Sequence, residues 1–176
     1  MPLRIGHAIW TFLIAACITG TVLSAPPEKA EIDIYNNNAR YWQYEGKPVL
    51  LLGGSVEDNL FQIKDLEKHL GTLAKAGGNY VRCTMSCRDE GNVWPFTKVD
   101  NRYDLDQWNP EFWRRFEHFL KETSKRDVIV QIEVWATFDY YRDVWAKNPF
   151  NPKNNLNYTA EQTGLPEKVP PSRPHR

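Results

Sequence analysis

The sequence predicts an α/β protein, in which an N-terminal hairpin is followed by about three β/α units. Two strand patterns, at residues 79–85 and 128–135, are each preceded by a helix-forming segment with an apolar stripe at helical spacing. The connections between the strands are long enough for crossover helices, which parallel strands require. Strand, helix, strand, helix and strand in this order predict a parallel sheet covered by helices.

Residues 1–25 are predicted to be a secretory signal segment. A basic start precedes an almost wholly apolar run at residues 8–23, and small residues follow it. The run is shorter than the ~20 residues of a membrane-spanning helix, so cleavage near Ala25 is expected to yield a secreted or periplasmic protein. Two alternatives stay open: an uncleaved N-terminal anchor, and a lipoprotein, because residues 14–17 resemble a lipobox that ends at Cys17.

A hairpin is predicted at residues 40–52. Residues 40–44 have the aromatic content of a strand, and residues 45–48 contain the glycine and proline of a turn. Residues 49–52 form a short apolar run closed by Gly53-Gly54, which predicts a buried strand fed by the hairpin.

The first helix is predicted to begin with Asp58 or Asn59 as its N-cap and to end at Gly77-Gly78. Its apolar residues recur at helical spacing: Ile63, Leu66, Leu70, Leu73 and Ala74. The strand at residues 79–85 follows. Residues 86–108, which are rich in Asp, Asn and Gly, are predicted to be a loop.

The second helix is predicted to begin at Asn109-Pro110, with the asparagine as cap and the proline in the first turn. Its aromatic stripe is expected to be buried, and Trp113 and Phe116 are assigned to the core. The strand at residues 128–135 then completes the alternation of helices and strands.

The pattern loosens after this strand. Residues 139–147 predict a short helix, and residues 148–157 predict a loop rich in proline and asparagine. Residues 166–176 are rich in proline and lack apolar periodicity, so they are predicted to have no fixed structure.

The charge balance excludes two classes of partner. The chain has 22 basic and 22 acidic side chains and a net charge of zero, so no attraction to nucleic acid or to an anionic membrane surface is expected. Neither a Gly-rich phosphate loop nor a G-x-S-x-G elbow occurs. No cofactor is predicted.

Two cysteines follow the signal segment, Cys83 and Cys87. In an oxidising compartment they could form a small disulfide, and the alternative of two unpaired thiols stays open. A zinc site would need two further ligands near these cysteines, which the sequence lacks, so no metal is predicted.

Charged residues occupy one face of each central strand. Because side chains alternate between the faces of a strand, Arg82 lies on the face opposite Cys83, and Glu133 shares its face with Trp135. A charge buried alone costs several kcal/mol. Arg82 and Glu133 are therefore expected either to form an ion pair that orders the sheet, or to line a wet cleft with a functional role.

Aromatic residues crowd the loops that follow the strands, with Asp and Asn between them. Aromatic faces can stack on the apolar faces of sugar rings, while Asp, Asn and Arg can form hydrogen bonds with hydroxyl groups. Trp94 and Trp135 lie near strand ends, where α/β proteins carry their sites, and Asp139 follows in the next loop. Carbohydrate is therefore the predicted partner.

Several motifs resemble secreted glycoside hydrolases with (β/α)8 barrels, of the cellulase-like retaining clan. The most specific is Gly77-Gly78-Asn79-Tyr80-Val81-Arg82, which is similar to the clan's second-strand motif G-x-N-x-V-R. The resemblance covers roughly residues 40–157. Supporting matches lie at residues 45–48, 53–55, 108–113 and 133–135.

The resemblance implies the N-terminal portion of such a barrel, because a complete one needs ~250 residues. Residues 1–25 would be the signal peptide, residues 26–165 a partial glycosidase-like barrel, and residues 166–176 a disordered Pro-rich tail. The resemblance also implies that Arg82 supports the nucleophilic carboxylate of a catalytic pair.

In that clan the acid/base lies in an Asn-Glu pair after the fourth strand, and the nucleophile follows the seventh. No Asn-Glu pair occurs in this sequence, so the catalytic carboxylates are expected beyond its end, and the chain alone is expected to be inactive. The residues expected to bind substrate are Arg82, Glu133, Trp135, Asp139 and Trp94. The alternative is a non-enzymatic exported module that binds carbohydrate.

Overall fold

A computed structural model describes residues 32–134 and 136–170. They form two compact units, which divide after Val49. The signal segment predicted at residues 1–25, with its lipidation alternative at Cys17, lies outside the described residues. Within the described ranges, no helix is both long enough and apolar enough to cross a bilayer.

The first unit is an antiparallel sheet of three short strands, β1 (Ile32–Ile34), β2 (Trp42–Tyr44) and β3 (Lys47–Val49). Tyr44 pairs with Lys47, so Glu45 and Gly46 alone join β2 to β3. Both have positive φ angles, 49° and 72°, as two-residue hairpin turns require. The predicted hairpin is confirmed, although its turn is shorter than predicted.

Residues 50–53 do not form the buried strand that their apolar run predicts. Leu50 and Leu52 are 61% and 52% exposed, because no described part of the chain covers them, and only Gly53 of this segment forms an isolated parallel bridge. The side chain of Asn79 holds the segment in place. Its Oδ1 accepts a hydrogen bond from Leu52 N at 2.8 Å, and its Nδ2 donates to Leu50 O at 3.1 Å.

Helix α1 (Leu66–Lys75) begins later than the sequence predicts. A buried 3₁₀ turn, Leu60–Gln62, precedes it, because the apolar side chains of this turn pack into the core. Both predicted caps are wrong: the Asp58 carboxylate pairs with arginines, and the Asn59 side chain makes no capping hydrogen bond. The predicted end is confirmed by Gly77, whose φ of +82° suits glycine.

Strand β4 (Tyr80–Thr84) lies where predicted, but the following segment is not a loop throughout. It contains an antiparallel hairpin formed by β5 (Phe96–Val99) and β6 (Arg102–Trp108). Asp100 and Asn101 form its two-residue turn, with φ angles of 48° and 63°. Beta-branched and aromatic residues on both sides of the turn are the signal that the loop prediction overlooked.

Helix α2 (Pro110–Ser124) begins as predicted. The Asn109 side chain accepts a hydrogen bond from Glu111 N at 3.1 Å, and proline occupies the first turn. Phe112 and Phe119 are fully buried. The assignment of Trp113 to the core is wrong, because its side chain is 36% exposed on the edge of the buried stripe.

Strand β7 (Ile129–Glu133), the next strand after α2, runs parallel to β4. The predicted parallel arrangement is confirmed for this pair, and so is the predicted alternation: Val81 and Cys83 are buried, and Arg82 faces away from them. Helices α1 and α2 pack on the buried face. This parallel sheet has two strands in the part of the chain that the structure describes, which does not show a barrel.

Short elements follow β7: a 3₁₀ turn (Thr137–Tyr140), α3 (Arg142–Trp145), a second 3₁₀ turn (Pro152–Asn154) and α4 (Ala160–Thr163). The loop between α3 and α4 is ordered by its own asparagines. Asn148, Asn151 and Asn155 are buried, and the amide of each donates to backbone carbonyls. These side chains donate hydrogen bonds to backbone carbonyls that, in a helix or strand, would accept them from backbone N–H groups.

Asn157 at the end of this loop contacts the β5–β6 hairpin, and Trp145 of α3 contacts the start of the tail. Leu105 N donates to Asn157 Oδ1 at 2.7 Å, and Asn157 Nδ2 donates to Asp106 Oδ2 at 3.0 Å. An indole of α3 donates to Pro166 O at 2.8 Å. The segment predicted to lack fixed structure thus begins with an anchored residue, and residues 171–176 lie outside the described chain.

Candidate functional site

The carboxyl ends of β4 and β7 lie side by side, and the residues around them form the candidate site. Thr84 is opposite Glu133 in the register, and Met85 N donates to Glu133 O at 3.0 Å. Ligands of parallel α/β sheets bind outside this end of the strands. Two groups of side chains gather there, one charged and one aromatic.

The charged group, here called the ion cluster, consists of Asp58, Arg82, Arg88 and Glu133. Nη1 of Arg82 donates to the two carboxylate oxygens of Glu133 at 3.0 and 3.2 Å, and its Nη2 donates to Asp58 Oδ1 at 2.8 Å. Arg88 contacts the other oxygen of Asp58. The hydrogen bonds and charge of Glu133 raise the pKa of Arg82 above its ordinary value.

The ion cluster is open to solvent. The side chains of Arg82 and Asp58 are each 46% exposed, and that of Glu133 is 33% exposed. The expected pairing of Arg82 with Glu133 is present, but the pair is not buried. Exposed ion pairs contribute at most ~1 kcal/mol to stability, so ordering the sheet is a minor role for these charges.

Asp139 lies beside the ion cluster and is nearly enclosed. Its Oδ1 accepts a hydrogen bond from the Ser86 hydroxyl at 3.0 Å, and its backbone carbonyl accepts one from Asn148 at 2.8 Å. Burial raises the pKa of Asp139, while the Ser86 hydrogen bond and the charge of Arg88 oppose this shift. The net direction is a pKa of Asp139 above the ordinary aspartate value.

The aromatic group lines a cavity of about 160 Å³, here called the aromatic cavity, with Asp139 in its wall. The rings of Phe96 and Trp108 stack with their centroids 5.3 Å apart. Apolar walls with a few polar groups are typical of small-ligand sites. The aromatic lining residues are Trp94, Phe96, Trp108, Phe112, Trp113, Tyr140 and Phe150.

The structure brings most of the predicted site residues to this end of the sheet. Arg82 and Glu133 belong to the ion cluster, and Trp94 and Asp139 line the aromatic cavity. Trp135 lies outside the described residues. Their expected role in binding substrate stays a prediction.

Three residues near the site were missed by the sequence prediction: Asp58, Ser86 and Arg88. The sequence favours Asp58 as a helix cap, because an acidic residue before an apolar stripe is typical of one. The sequence did contain a signal for an acidic partner such as Asp58, because a charged Arg82 on a strand face requires a group of opposite charge. Ser86 and Arg88 follow β4 directly, in the region where such sites are built.

Cys83 and Cys87 are free thiols, and both are buried. The sequence left open a disulfide or two unpaired thiols, and the structure has two unpaired thiols. Burial raises the pKa of Cys83 to about 11 and also raises that of Cys87. Neither is a thiolate near neutral pH, so neither fits the role of a nucleophile.

The fold and site define an α/β protein with an exposed ion cluster and an aromatic cavity at the carboxyl ends of parallel strands. Neither a protein-family model nor a curated protein sequence matches the chain. Among solved structures, it is similar to a Bacteroides vulgatus protein described as a "putative glycoside hydrolase", with 17% sequence identity and a TM-score of 0.48. The similarity covers 64% of this chain and 24% of the other. A likeness at this level does not establish a shared fold or activity.

Proposed function

We propose that this chain is a glycoside-hydrolase-like protein that binds carbohydrate at the carboxyl ends of β4 and β7. The observation that carries the proposal is the aromatic cavity with the carboxyl group of Asp139 in its wall, beside the ion cluster. Sugar rings offer apolar faces for stacking and hydroxyl groups for hydrogen bonds. The two groups of side chains supply both kinds of contact.

The size of the aromatic cavity limits what it can hold. Its volume of about 160 Å³ is below the roughly 300–1,000 Å³ of a pocket for a drug-sized ligand. It suits a single sugar ring rather than an extended glycan. The exposed charges of Arg82 and Glu133 are then available to hydroxyl groups of neighbouring rings.

In this proposal, the carboxylates that cleave the glycosidic bond come from outside this chain, on strands that extend the parallel sheet. Within the described residues β7 has one neighbour, and Ile132 and Val134 are 40% and 64% exposed. An unpaired apolar edge favours aggregation unless it is covered. Arg82 would support the nucleophile, and the chain alone would bind without cleaving. Export, which the signal segment predicts, would bring the protein to extracellular polysaccharide.

A non-enzymatic carbohydrate-binding module is the second candidate function. It is favoured by the pairing of Asp58 and Glu133 with arginines, because paired carboxylates are poor proton donors. Hydrolysis of a bound glycan by a longer product of the same gene would favour the first candidate. Binding without turnover in that longer product would favour the second.

The test is isothermal titration calorimetry of the full chain against a panel of soluble polysaccharides and oligosaccharides. Trp94→Ala and Asp139→Asn are expected to weaken binding about tenfold or more, a loss of ~1.4 kcal/mol or greater. Trp42→Ala is the matched control, because Trp42 is an exposed tryptophan of the first unit. A folded wild-type chain that binds no glycan in the panel, or an equal loss in the control, would contradict the proposal.

A further inference from the structure

A second cluster of polar side chains lies on helices α1 and α2, which cover the face of the sheet opposite the ion cluster. Glu67 of α1 and His118 and Glu122 of α2 each offer one ligand atom, and these atoms all lie within 4.8 Å of one another. The sequence prediction of no metal considered ligands near the cysteines only. It did not consider side chains that two helices bring together.

The distance between two of these atoms matches that between ligands of one metal ion. Nε2 of His118 lies 3.4 Å from Oε1 of Glu67. Two ligand atoms about 2.0–2.2 Å from a tetrahedral zinc ion are about 3.3–3.6 Å apart. By comparison, an N–H···O hydrogen bond is usually about 2.7–3.2 Å long. The spacing of this one pair fits two ligands of one ion, and the third ligand atom lies within 4.8 Å of both.

The backbone places the third ligand on the same side. His118 and Glu122 are four residues apart on α2, so their side chains share one face of the helix. Glu67 reaches them from α1, and its side chain is exposed enough to adjust its position.

The cluster opens on a groove of about 940 Å³, which gives an ion a path of entry. Glu67 and His118 line this groove. Asn59 lines it as well; its side chain is 1% exposed, and neither of its amide atoms has a hydrogen-bond partner among the described residues. A buried polar group without a partner is costly, and Asn59 is such a group in the wall of this groove.

Two cations compete for the carboxylate of Glu122. Lys125 Nζ lies 2.5 Å from its Oε1, and Arg126 Nη1 lies 2.6 Å from its Oε2. Each oxygen keeps a second lone pair that can bind a metal ion. The neighbouring charges nevertheless repel a metal cation, so its affinity is modest and rises when one of them is removed.

We propose that Glu67, His118 and Glu122 form a binding site for a divalent transition metal ion, with Zn²⁺ as the best match. One imidazole nitrogen and two carboxylate oxygens suit zinc, and water or a ligand in the groove takes the fourth position. The ion links α1 to α2. This site is independent of the proposed carbohydrate binding.

The test is isothermal titration calorimetry of the untagged full chain with ZnCl₂ near neutral pH. The wild-type chain is expected to bind one equivalent of Zn²⁺, and His118→Ala is expected to weaken binding about tenfold or more. His69→Ala is the matched control, because His69 lies on α1 outside the cluster. A wild-type chain that binds no Zn²⁺, or equal affinity in His118→Ala, would overturn the proposal.

Further variants keep the test valid if His118→Ala does not fold. Glu67→Gln keeps the shape of an exposed side chain and is expected to weaken Zn²⁺ binding and to remove the rise in Tm that Zn²⁺ causes. Lys125→Ala, at a residue whose side chain is 67% exposed, is expected to tighten binding. Unchanged affinity in Lys125→Ala would remove Glu122 from the site and overturn the three-ligand assignment.

Discussion

Arg82 pairs with Glu133 diagonally across two parallel strands, because the residue directly opposite Arg82 in the register is Gln131. The guanidinium thus reaches toward the carboxyl end of β7. There it meets a second carboxylate, that of Asp58, which arrives from the loop before α1. Arg82 thus links strand β7, through Glu133, to the loop before α1, through Asp58, at the end of the sheet where the candidate site lies.

Replacing Arg82 is expected to affect binding far more than stability. Because the pair is exposed, Arg82→Ala should lower the free energy of unfolding by less than about 1 kcal/mol, whereas carbohydrate affinity should fall. Denaturant unfolding and calorimetry on the same variant measure both quantities. Arg114→Ala, which removes an exposed ion pair on α2, is the control. A stability loss of about 3–5 kcal/mol, typical of a broken buried pair, would show a structural role instead.

The buried carboxyl group of Asp139 predicts a pH dependence of stability. Since burial raises its pKa, its contribution to stability is fully present below the ordinary aspartate pKa of ~3.9. That contribution is lost as the pH rises through the higher pKa of the folded state. Asp139→Asn should therefore gain stability relative to wild type as the pH rises from acid toward neutral. Chemical unfolding across this range measures the difference.

Ser86→Ala sharpens the test on Asp139. The Ser86 hydroxyl opposes the rise in the pKa of Asp139, so its removal should raise that pKa further. The loss of stability should then extend to higher pH than in wild type. Parallel stability profiles for wild type, Asp139→Asn and Ser86→Ala would contradict this account.

The first turn of α2 predicts the opposite dependence on pH. Hydrogen bonds from Arg114 and Arg115 lower the pKa of Glu111 to about 2. Its contribution is present above the ordinary glutamate pKa of ~4.3 and is lost as the pH falls toward 2. Glu111→Gln should be less stable than wild type near neutral pH and equal to it in strong acid. Glu161→Gln, at an exposed glutamate of α4, is the control variant.

The side chain of Asn79 is expected to stabilise the fold by holding residues 50–52 beside the start of β4. Asn79→Ala removes the hydrogen bonds to Leu50 and Leu52, and should cost about 1–3 kcal/mol of unfolding free energy. Asn79→Asp keeps the acceptor for Leu52 N and loses the donor to Leu50 O, so its cost should be intermediate. Equal stability of all three proteins in urea unfolding would show that the segment before β4 is not held by this residue.

The sequence predicts best the elements whose signals are local. Helix α2 carries its cap, Asn109, and its apolar stripe within one segment, and both appear in the structure. The start of α1 could not be read in this way. In the 3₁₀ turn before it, Phe61 packs edge-on against Phe112, with ring centroids 5.0 Å apart. This contact joins residues far apart in the sequence, so the spacing of apolar residues within α1 does not predict it.

The same limit applies to the candidate site. Strand alternation placed Arg82 and Glu133 on one side of the sheet, since alternation is a property of each strand alone. The identity of the second partner of Arg82 was not predictable, because Asp58 lies 24 residues from it in the sequence. The same holds for Asp139, whose partner Ser86 lies 53 residues away. Such pairings depend on the folded arrangement of loops.

The hydrogen bonds of Asn157 have a consequence for covalent modification. Asn157-Tyr158-Thr159 has the form of an N-glycosylation acceptor. The nitrogen that would carry the glycan is the one that donates to Asp106 in the folded chain. In a host that glycosylates exported proteins, docking of the hairpin and attachment of a sugar therefore compete for one atom. Glycosylation leaves this nitrogen one N–H and attaches a bulky sugar to it, so a contact with Asp106 that forms first hinders attachment of the sugar, and the timing of folding affects whether this asparagine is glycosylated.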